Sequence, residues 1–121
     1  MSHPAHHHHI NYIEFAATNL EAAKKLYSTV FGWSFIDYGP EYASFTAASA
    51  GIDGGFYKTV AVPEQPKTAP LVVLYSADLK ATEAAILASG GKIVVPTFEF
   101  PGGRRFHLSD GVGNILAVWS E

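Results

Sequence analysis

The stretch INYIEFAATNLEAAKKLYSTVFGW (residues 10–33) predicts a strand followed by a helix. Its first eight residues are rich in branched and aromatic side chains, which is typical of a strand. Apolar residues then recur at helical spacing, so that they form one stripe along a helix. The stripe consists of Leu20, Ala23, Leu26, Tyr27 and Val30. Together, this strand and this helix indicate a β-α unit.

Both ends of the predicted helix carry capping signals. Thr18 and Glu21 have the S/T-x-x-E spacing of a capping box, which predicts that Thr18 caps the start of the helix. Gly32 occupies the position where a left-handed residue ends a helix. The helix is therefore expected between these two residues.

The remainder of the first half predicts three short strands, and the second half repeats the whole pattern. SFIDY, ASFTA and GFYKTV follow the helix, separated by turn residues. PEQPKTAP, with three prolines in eight residues, favours an extended connector. LVVLYSADLKATEAAILASGGKI then predicts a strand and a helix again, followed by strands in KIVVPTF, RRFHLS and ILAVW. The predicted order is β-α-β-β-β, twice.

One constant, gapless shift of the chain against itself superposes Leu20 on Leu79, Ala22 on Ala81, Gly32 on Gly91 and Gly54 on Gly113. These identities fall at matching structural positions, so we interpret the chain as an internal repeat. The predicted organisation is a His-rich tail (1–9) and a single domain (10–121). The domain comprises module one (10–59), a linker (60–69) and module two (70–121).

Composition excludes several functions. The chain has 121 residues, which indicates one domain. It has 8 Lys and Arg against 11 Asp and Glu, so no excess positive charge favours nucleic acid. It has no cysteine, which excludes disulfides and thiolate chemistry. Its apolar runs are far shorter than the roughly 20 residues that span a bilayer, so no membrane partner is predicted and a cytoplasmic location is expected.

Two βαβββ modules, the FGW at 31–33 and the D-x-x-G-N turn at 110–114 resemble the vicinal oxygen chelate superfamily. This group contains glyoxalases, extradiol dioxygenases and bleomycin-resistance proteins. The resemblance covers residues 10–121, and Gly111 replaces the proline usual in that turn. It implies an α+β fold, the glyoxalase/bleomycin-resistance fold, in which two mixed sheets curl around a cavity. It also implies a homodimer.

The resemblance further implies where a metal would bind. Members that use a metal place ligands near the start of the first strand and within the last strand of each module. The matching positions here are Tyr12, Lys58, Leu71 and Ala117. A protonated lysine has no lone pair, and alanine and leucine offer no donor atom, so no metal cofactor is predicted. A slip of the alignment would bring in Glu14 or His107, which is still short of three ligands.

Five of the six histidines lie in the first nine residues. We interpret this tail as a terminus outside the fold, which could bind metal only adventitiously. The alternative is that the tail covers the mouth of a cavity and supplies His8 or His9 to it.

Strand alternation predicts which side chains line the cavity. The expected ligand-binding residues are Tyr12, Glu14, Phe56, Lys58, Tyr75, Arg105, His107 and Trp119. Such an aromatic lining with a few charges is typical of a small-molecule pocket, although the same side chains could simply fill the interior.

Glu14 and His107 are the candidate catalytic residues. A carboxylate between Ile13 and Phe15 is costly to bury unless Lys58 or Arg105 neutralises it. Without such a cation, burial would raise the pKa of Glu14 and favour a general base. Arg105, two residues from His107 on the same face, could bind a substrate carboxylate.

The sequence therefore predicts a metal-free protein that binds a small organic ligand, as bleomycin-resistance proteins do. The alternative is a lyase, isomerase or dioxygenase of glyoxalase type, either metal-dependent or using Glu14 and His107 as acid and base. A third possibility is an assembly protein whose cavity is filled by its own side chains.

Overall fold

The computed structural model describes residues 5–62 and 65–121. Residues 1–4 of the predicted tail and 63–64 of the predicted linker lie outside the described residues. The elements in the described part are β1 (Tyr12–Ala17), α1 (Leu20–Phe31), β2 (Phe35–Asp37), β3 (Tyr42–Phe45), α2 (Ala47–Ala50), β4 (Asp53–Lys58), β5 (Val72–Tyr75), α3 (Leu79–Ala88), β6 (Lys92–Phe100), β7 (Gly103–Ser109) and β8 (Ile115–Ser120). The predicted βαβββ order is present twice, with one additional short helix, α2, in module one.

The strands form two four-stranded mixed sheets. Their orders are β1-β4-β3-β2 and β5-β8-β7-β6. In each sheet the first and last strands of the module run parallel, and the other neighbouring strands run antiparallel. The predicted α+β fold class is therefore confirmed. Among the described residues, no helix combines the length and apolar character needed to cross a bilayer.

The start of α1 differs from the prediction. Asn19 is the N-cap, and its side chain accepts a hydrogen bond from the Ala22 backbone N–H at 3.0 Å. The backbone N–H of Thr18 instead donates to the carbonyl of Val112 in module two, at 3.0 Å. The prediction that Thr18 caps the helix is therefore wrong. Asn is at least as good an N-cap as Thr, and the backbone of Thr18 is hydrogen-bonded to module two. Asp78, which the gapless shift superposes on Asn19, caps α3 in the same way.

The predicted helix end at Gly32 is confirmed. Gly32 has φ 73°, in the left-handed region, and its N–H donates to the carbonyl of Ser28. Glycine adopts this conformation without the clash that a Cβ atom would cause.

The core lies between the helices and one face of each sheet. Its members are Phe15, Ala17, Leu20, Ala23, Leu26, Tyr27, Trp33, Phe45, Phe56, Leu79, Ile86, Phe106, Leu108, Val112, Leu116 and Val118. Ile13, Val72 and Leu74 pack against this core from the edge strands β1 and β5. The edge strands β1 and β5 thus turn an apolar face towards the helices.

The turn at 110–114 connects the two modules. The buried carboxylate of Asp110 accepts hydrogen bonds from the backbone N–H groups of Val112 and Asn114. It also accepts from the Asn114 side chain and from the Tyr27 hydroxyl in α1, both at 2.8 Å. Asn114 in turn donates to the carbonyl of Ala16 at 2.8 Å. Asp and Asn are therefore required in this turn to satisfy buried donors across the boundary between modules.

Candidate functional site

Each sheet has one face against the helices and one face without them, which we call the open face. The open face of module one carries Tyr12, Glu14, Ile36, Tyr42, Ser44 and Tyr57. The open face of module two carries Val73, Tyr75, Val95, Phe98, Phe100, Arg105, His107, Ala117 and Trp119. Several of the large apolar side chains are well exposed, including Tyr12 (47%) and Tyr75 (53%). Exposed apolar faces of this kind mark interaction or ligand-binding surfaces.

Two predicted site residues do not lie on an open face. Phe56 is fully buried, and its ring stacks on Phe15 at a centroid distance of 5.2 Å. Lys58 shares the Phe56 side of β4 by strand alternation and is exposed at the end of that strand. The prediction that these two residues line the cavity is therefore wrong.

The error comes from the assumption of one constant shift between the repeats. Phe15 pairs with Phe56, while Leu74, which that shift superposes on Phe15, pairs with Val118. The last strands of the two modules, β4 and β8, are therefore related by a longer shift along the sequence than the first strands are. This longer shift superposes Phe56 on Val118. Because the two shifts differ by an odd number of positions, every side chain of β4 is transferred to the opposite face. The counterpart of Ala117 is consequently Gly55, not Lys58.

The open face of module one is organised around Tyr42. Its hydroxyl donates to the Glu14 carboxylate at 2.9 Å and shares a second hydrogen bond with the Tyr12 hydroxyl. To reach β1 from β3, the Tyr42 side chain crosses the intervening strand β4 at Gly55. A Cβ atom on Gly55 would lie 2.3 Å from the Tyr42 hydroxyl oxygen. Gly55 therefore provides the space that lets Tyr42 meet Glu14.

This arrangement changes the expectation for Glu14. Its side chain is exposed, and its partner is Tyr42, not Lys58 or Arg105. The burial that would have favoured a general base is therefore absent. Burial, followed by the hydrogen bonds with Tyr12 and Glu14, raises the pKa of Tyr42 above its usual value, so its hydroxyl stays protonated at neutral pH.

On the open face of module two, aromatic rings surround one cation. The Arg105 guanidinium carbon lies 5.2 Å from the ring centroid of Phe98 and 5.5 Å from that of Phe100. Phe100 also contacts Trp119, with ring centroids 6.2 Å apart, and Trp119 contacts Tyr75 at 5.1 Å. Contacts of a guanidinium with aromatic rings at these distances are favourable cation–π interactions.

His107 lies next to Arg105 on this face, as strand alternation predicts. Its ring centroid is 5.8 Å from that of Phe98. Burial, followed by the nearby charge of Arg105, lowers the pKa of His107 below its usual value. His107 is therefore neutral at physiological pH. In that state one ring nitrogen can donate a hydrogen bond and the other can accept one.

Three recesses lie on the open faces. One of about 510 Å³ lies on module one and is lined by Tyr12, Ile36 and Tyr42 among others. One of about 350 Å³ on module two is lined by Val73, Phe100, Pro101, Gly102, Arg105 and Trp119. One of about 710 Å³ lies between the open face of module two and the linker, and it is lined by His107, Val95, Ile115, Val62, Gln65, Pro66, Lys67 and Ala69 among others. These volumes fall in the range of small-molecule sites.

The structure brings the predicted site residues together in two groups rather than one. Tyr12 and Glu14 belong to module one, while Tyr75, Arg105, His107 and Trp119 belong to module two. None of these three recesses combines residues from the open faces of both modules. Glu14 and His107 therefore share none of these three recesses.

Sequence reasoning missed Tyr42, Phe98 and Phe100. The signal for Tyr42 was the glycine pair inside β4, because glycine within a strand often marks a close approach by another group. The signal for the two phenylalanines was weaker, since pairing between β6 and β7 shifts twice between Ile93 and Phe98. Such irregularities break the simple alternation of faces.

The donor atoms do not fit the metal site that the superfamily resemblance implies. Within residues 5–62 and 65–121, no three His, Asp or Glu side chains are grouped so that they could share a metal ion. The last-strand positions are Gly55, which has no side chain, and the fully buried Ala117. The described histidines of the tail, His6–His9, are exposed, and His9 donates its backbone N–H to the His6 carbonyl.

Comparisons with known proteins agree with this architecture. The profile of the Glyoxalase/Bleomycin resistance protein/Dioxygenase superfamily matches residues 9–118. A glyoxylase-like domain-containing protein of Didymella fabae is 33% identical over 121 aligned positions, which cover 87% of this chain and 89% of that protein. CFP32 of Mycobacterium tuberculosis, a glyoxylase by name, is 24% identical over 115 positions. That match covers 90% of this chain but only 44% of the mycobacterial protein.

A solved structure with the same fold is the fosfomycin resistance protein FosX of Listeria monocytogenes. It superposes with a TM-score of 0.77 at 13% identity, over 93% of each chain. At that identity the similarity shows the fold alone. The profile match over nearly the whole domain establishes that the chain belongs to the glyoxalase/bleomycin resistance protein/dioxygenase superfamily.

Proposed function

We propose that this protein binds a small organic molecule, without a metal ion, on the open faces of its two modules. The observation that carries the proposal is the make-up of these faces. Aromatic and aliphatic side chains such as Tyr75, Trp119 and Val73 surround a few polar groups. A mostly apolar lining with a small number of polar groups is the usual composition of a ligand pocket.

The complete pocket forms, in this proposal, between two copies of the chain. In one chain no described helix covers either open face, and exposed apolar surface of this kind is costly to leave in water. Module one of each copy would therefore cover module two of its partner. Sedimentation velocity of the full chain should give a dimer, and a monomer at all concentrations would contradict this arrangement.

Metal independence rests on the chemistry of the available donors. Gly55, Ala117 and Leu71 provide no donor side chain, and Tyr12 already shares a hydrogen bond with Tyr42. Binding would then depend on shape, on apolar contact and on the polar groups of module two.

The test is metal content measured by mass spectrometry on protein purified without metal-affinity resin. The full chain is compared with a chain that begins at Ile10, which lacks the histidine tail. We expect no stoichiometric metal in the shorter chain, and stabilisation of its thermal unfolding by one or more compounds from an organic library. A stoichiometric metal retained without the tail would contradict metal independence and favour a metal-dependent enzyme.

An acid–base enzyme is the second candidate, and the Tyr12–Tyr42–Glu14 hydrogen-bond chain favours it. A carboxylate and a tyrosine hydroxyl joined at 2.9 Å could transfer a proton to or from a bound molecule. Glu14→Gln keeps the shape of the side chain but removes its charge. Loss of turnover with unchanged ligand binding would support catalysis, whereas turnover equal to that of the wild type would exclude Glu14 as the base.

A further inference from the structure

We propose that the open face of module two binds the carboxylate of a planar, apolar organic acid, with Arg105 as its principal partner. The inference rests on the proposed function and names the chemical class of its ligand.

The first observation is a pair of polar atoms without partners. Arg105 Nε and His107 Nε2 are both buried, yet neither makes a hydrogen bond to any described residue. The buried polar atoms of folded proteins are nearly always hydrogen-bonded, so each exception requires an explanation. Arg105 lines the recess of about 350 Å³ and His107 the recess of about 710 Å³, so a ligand with acceptor oxygens in the smaller recess would supply a partner to the Arg105 guanidinium.

The second observation is the absence of a protein counter-ion within the part of the chain that the structure describes. Both salt bridges found there involve Lys24, on α1, and neither involves Arg105. The chain contains 11 Asp and Glu residues, but no described carboxylate forms a salt bridge with this guanidinium. An unneutralised guanidinium between rings is well placed for an anion from solution.

The third observation concerns the shape of the recess. Trp119, Phe100 and Val73 line it beside Arg105, and its volume is about 350 Å³. Aromatic walls favour a flat apolar body, since stacked or edge-to-face ring contacts are favourable. A guanidinium presents parallel N–H donors that match the two oxygens of a carboxylate. Together these groups select a planar acid over a neutral molecule of the same shape.

Arg104 offers a matched control because it neighbours Arg105 but has a different environment. Arg104 is exposed and belongs to the opposite side of β7 by strand alternation. Arg105→Gln and Arg104→Gln therefore change the net charge equally, yet only the first removes a guanidinium from the open face of module two.

The probes are 2-naphthoate and its neutral analogue 2-naphthamide, which have nearly the same shape. Binding to the full chain is measured by quenching of tryptophan fluorescence and by isothermal titration calorimetry. We expect naphthoate to bind at least about tenfold more tightly than naphthamide, because the neutral amide cannot form the charge-assisted hydrogen bond with the Arg105 guanidinium. Arg105→Gln should remove that preference, and Arg104→Gln should retain it.

Equal affinity of the two probes for the wild-type chain would overturn the inference while leaving small-molecule binding intact. The inference would also be overturned if neither probe bound the wild-type chain, but a neutral compound bound it and bound Trp119→Ala more weakly. If no organic compound bound at all, both the inference and the proposed function would fail. The comparison of the two probes on the wild-type chain needs no variant, so it remains decisive even if Arg105→Gln folds poorly.

Discussion

Modules one and two share a topology but build their cores from different side chains. The core of module one is aromatic, with contacts among Phe15, Tyr27, Trp33, Phe45 and Phe56 at ring-centroid distances of 4.5–6.3 Å. That of module two is mainly aliphatic, with Leu79, Ile86, Leu108, Leu116 and Val118. The same strand and helix order therefore tolerates two ways of filling its interior, provided that each face keeps its apolar pattern.

The open faces differ in a way that bears on function. On module one the polar groups Tyr12, Tyr42 and Glu14 satisfy one another. On module two Arg105 and His107 keep buried polar atoms without a partner among the described residues. The polar groups of the first face have partners within it, whereas the second face retains polar atoms that a ligand could satisfy. This contrast supports the proposal that module two contributes most of the ligand recognition.

The largest effect is expected where the two modules meet. Asp110→Ala removes the acceptor for four hydrogen bonds and leaves buried donors, including the Tyr27 hydroxyl, without a partner. We expect the free energy of unfolding to fall by about 3 kcal/mol or more, measured by urea denaturation. Tyr27→Phe removes only one of these bonds and should cost about 1 kcal/mol.

Asp37→Ala provides the control for Asp110→Ala. Asp37 is exposed and forms a surface salt bridge with Lys24, at 2.9 Å. Such a pair contributes less than about 1 kcal/mol. Similar losses for the two aspartate variants would show that the turn at 110–114 does not hold the modules together.

The two glycines of β4 should respond unequally to the same change. An alanine Cβ at Gly54 would lie 2.1 Å from the Ile13 carbonyl oxygen, in the backbone of the neighbouring strand, which cannot move away. At Gly55 the new methyl group would meet only the end of the Tyr42 side chain, which can rotate outwards. We expect Gly54→Ala to cost about 1–3 kcal/mol or more and Gly55→Ala clearly less, again by urea denaturation.

The double variant Gly55→Ala with Tyr42→Ala tests the reason for that difference. Because Tyr42 is the group in the way, its removal should abolish most of the cost of the added methyl group. If Gly55→Ala lowers the free energy of unfolding equally with and without the Tyr42 side chain, contact with Tyr42 does not explain why position 55 requires glycine.

The smallest effect concerns the pH dependence conferred by His107. Because its pKa is lowered in the folded protein, the unfolded chain binds a proton more readily. Stability should therefore fall as pH decreases through about 6.5, the usual value for histidine, and this loss should level off below the folded pKa. His107→Gln should lose less stability than the wild type between pH 7.5 and pH 5.5. The tail histidines are common to both proteins, so equal losses would contradict a lowered pKa.

Much of the fold could be predicted because its signals are local. The α1 stripe and the stop at Gly32 both depend on residues within one or two turns. The site could be predicted only in part. Tyr75, Arg105, His107 and Trp119 lie on the open face of module two as expected, because their strands alternate regularly. Phe56 and Lys58 were misplaced because an insertion between the repeats is invisible to a gapless shift.

The order of elements, the two modules and the family could be inferred from the sequence, because periodicity and turn signals depend on neighbouring residues. The folded structure was needed to show which side of β4 faces the helices, because strand pairing, and not spacing, sets the register. It alone showed that Tyr42 reaches Glu14 across Gly55, and that Arg105 and His107 stay without a partner among the described residues. These relations join residues far apart in the chain, and hydrogen-bond satisfaction depends on distances that no linear pattern contains.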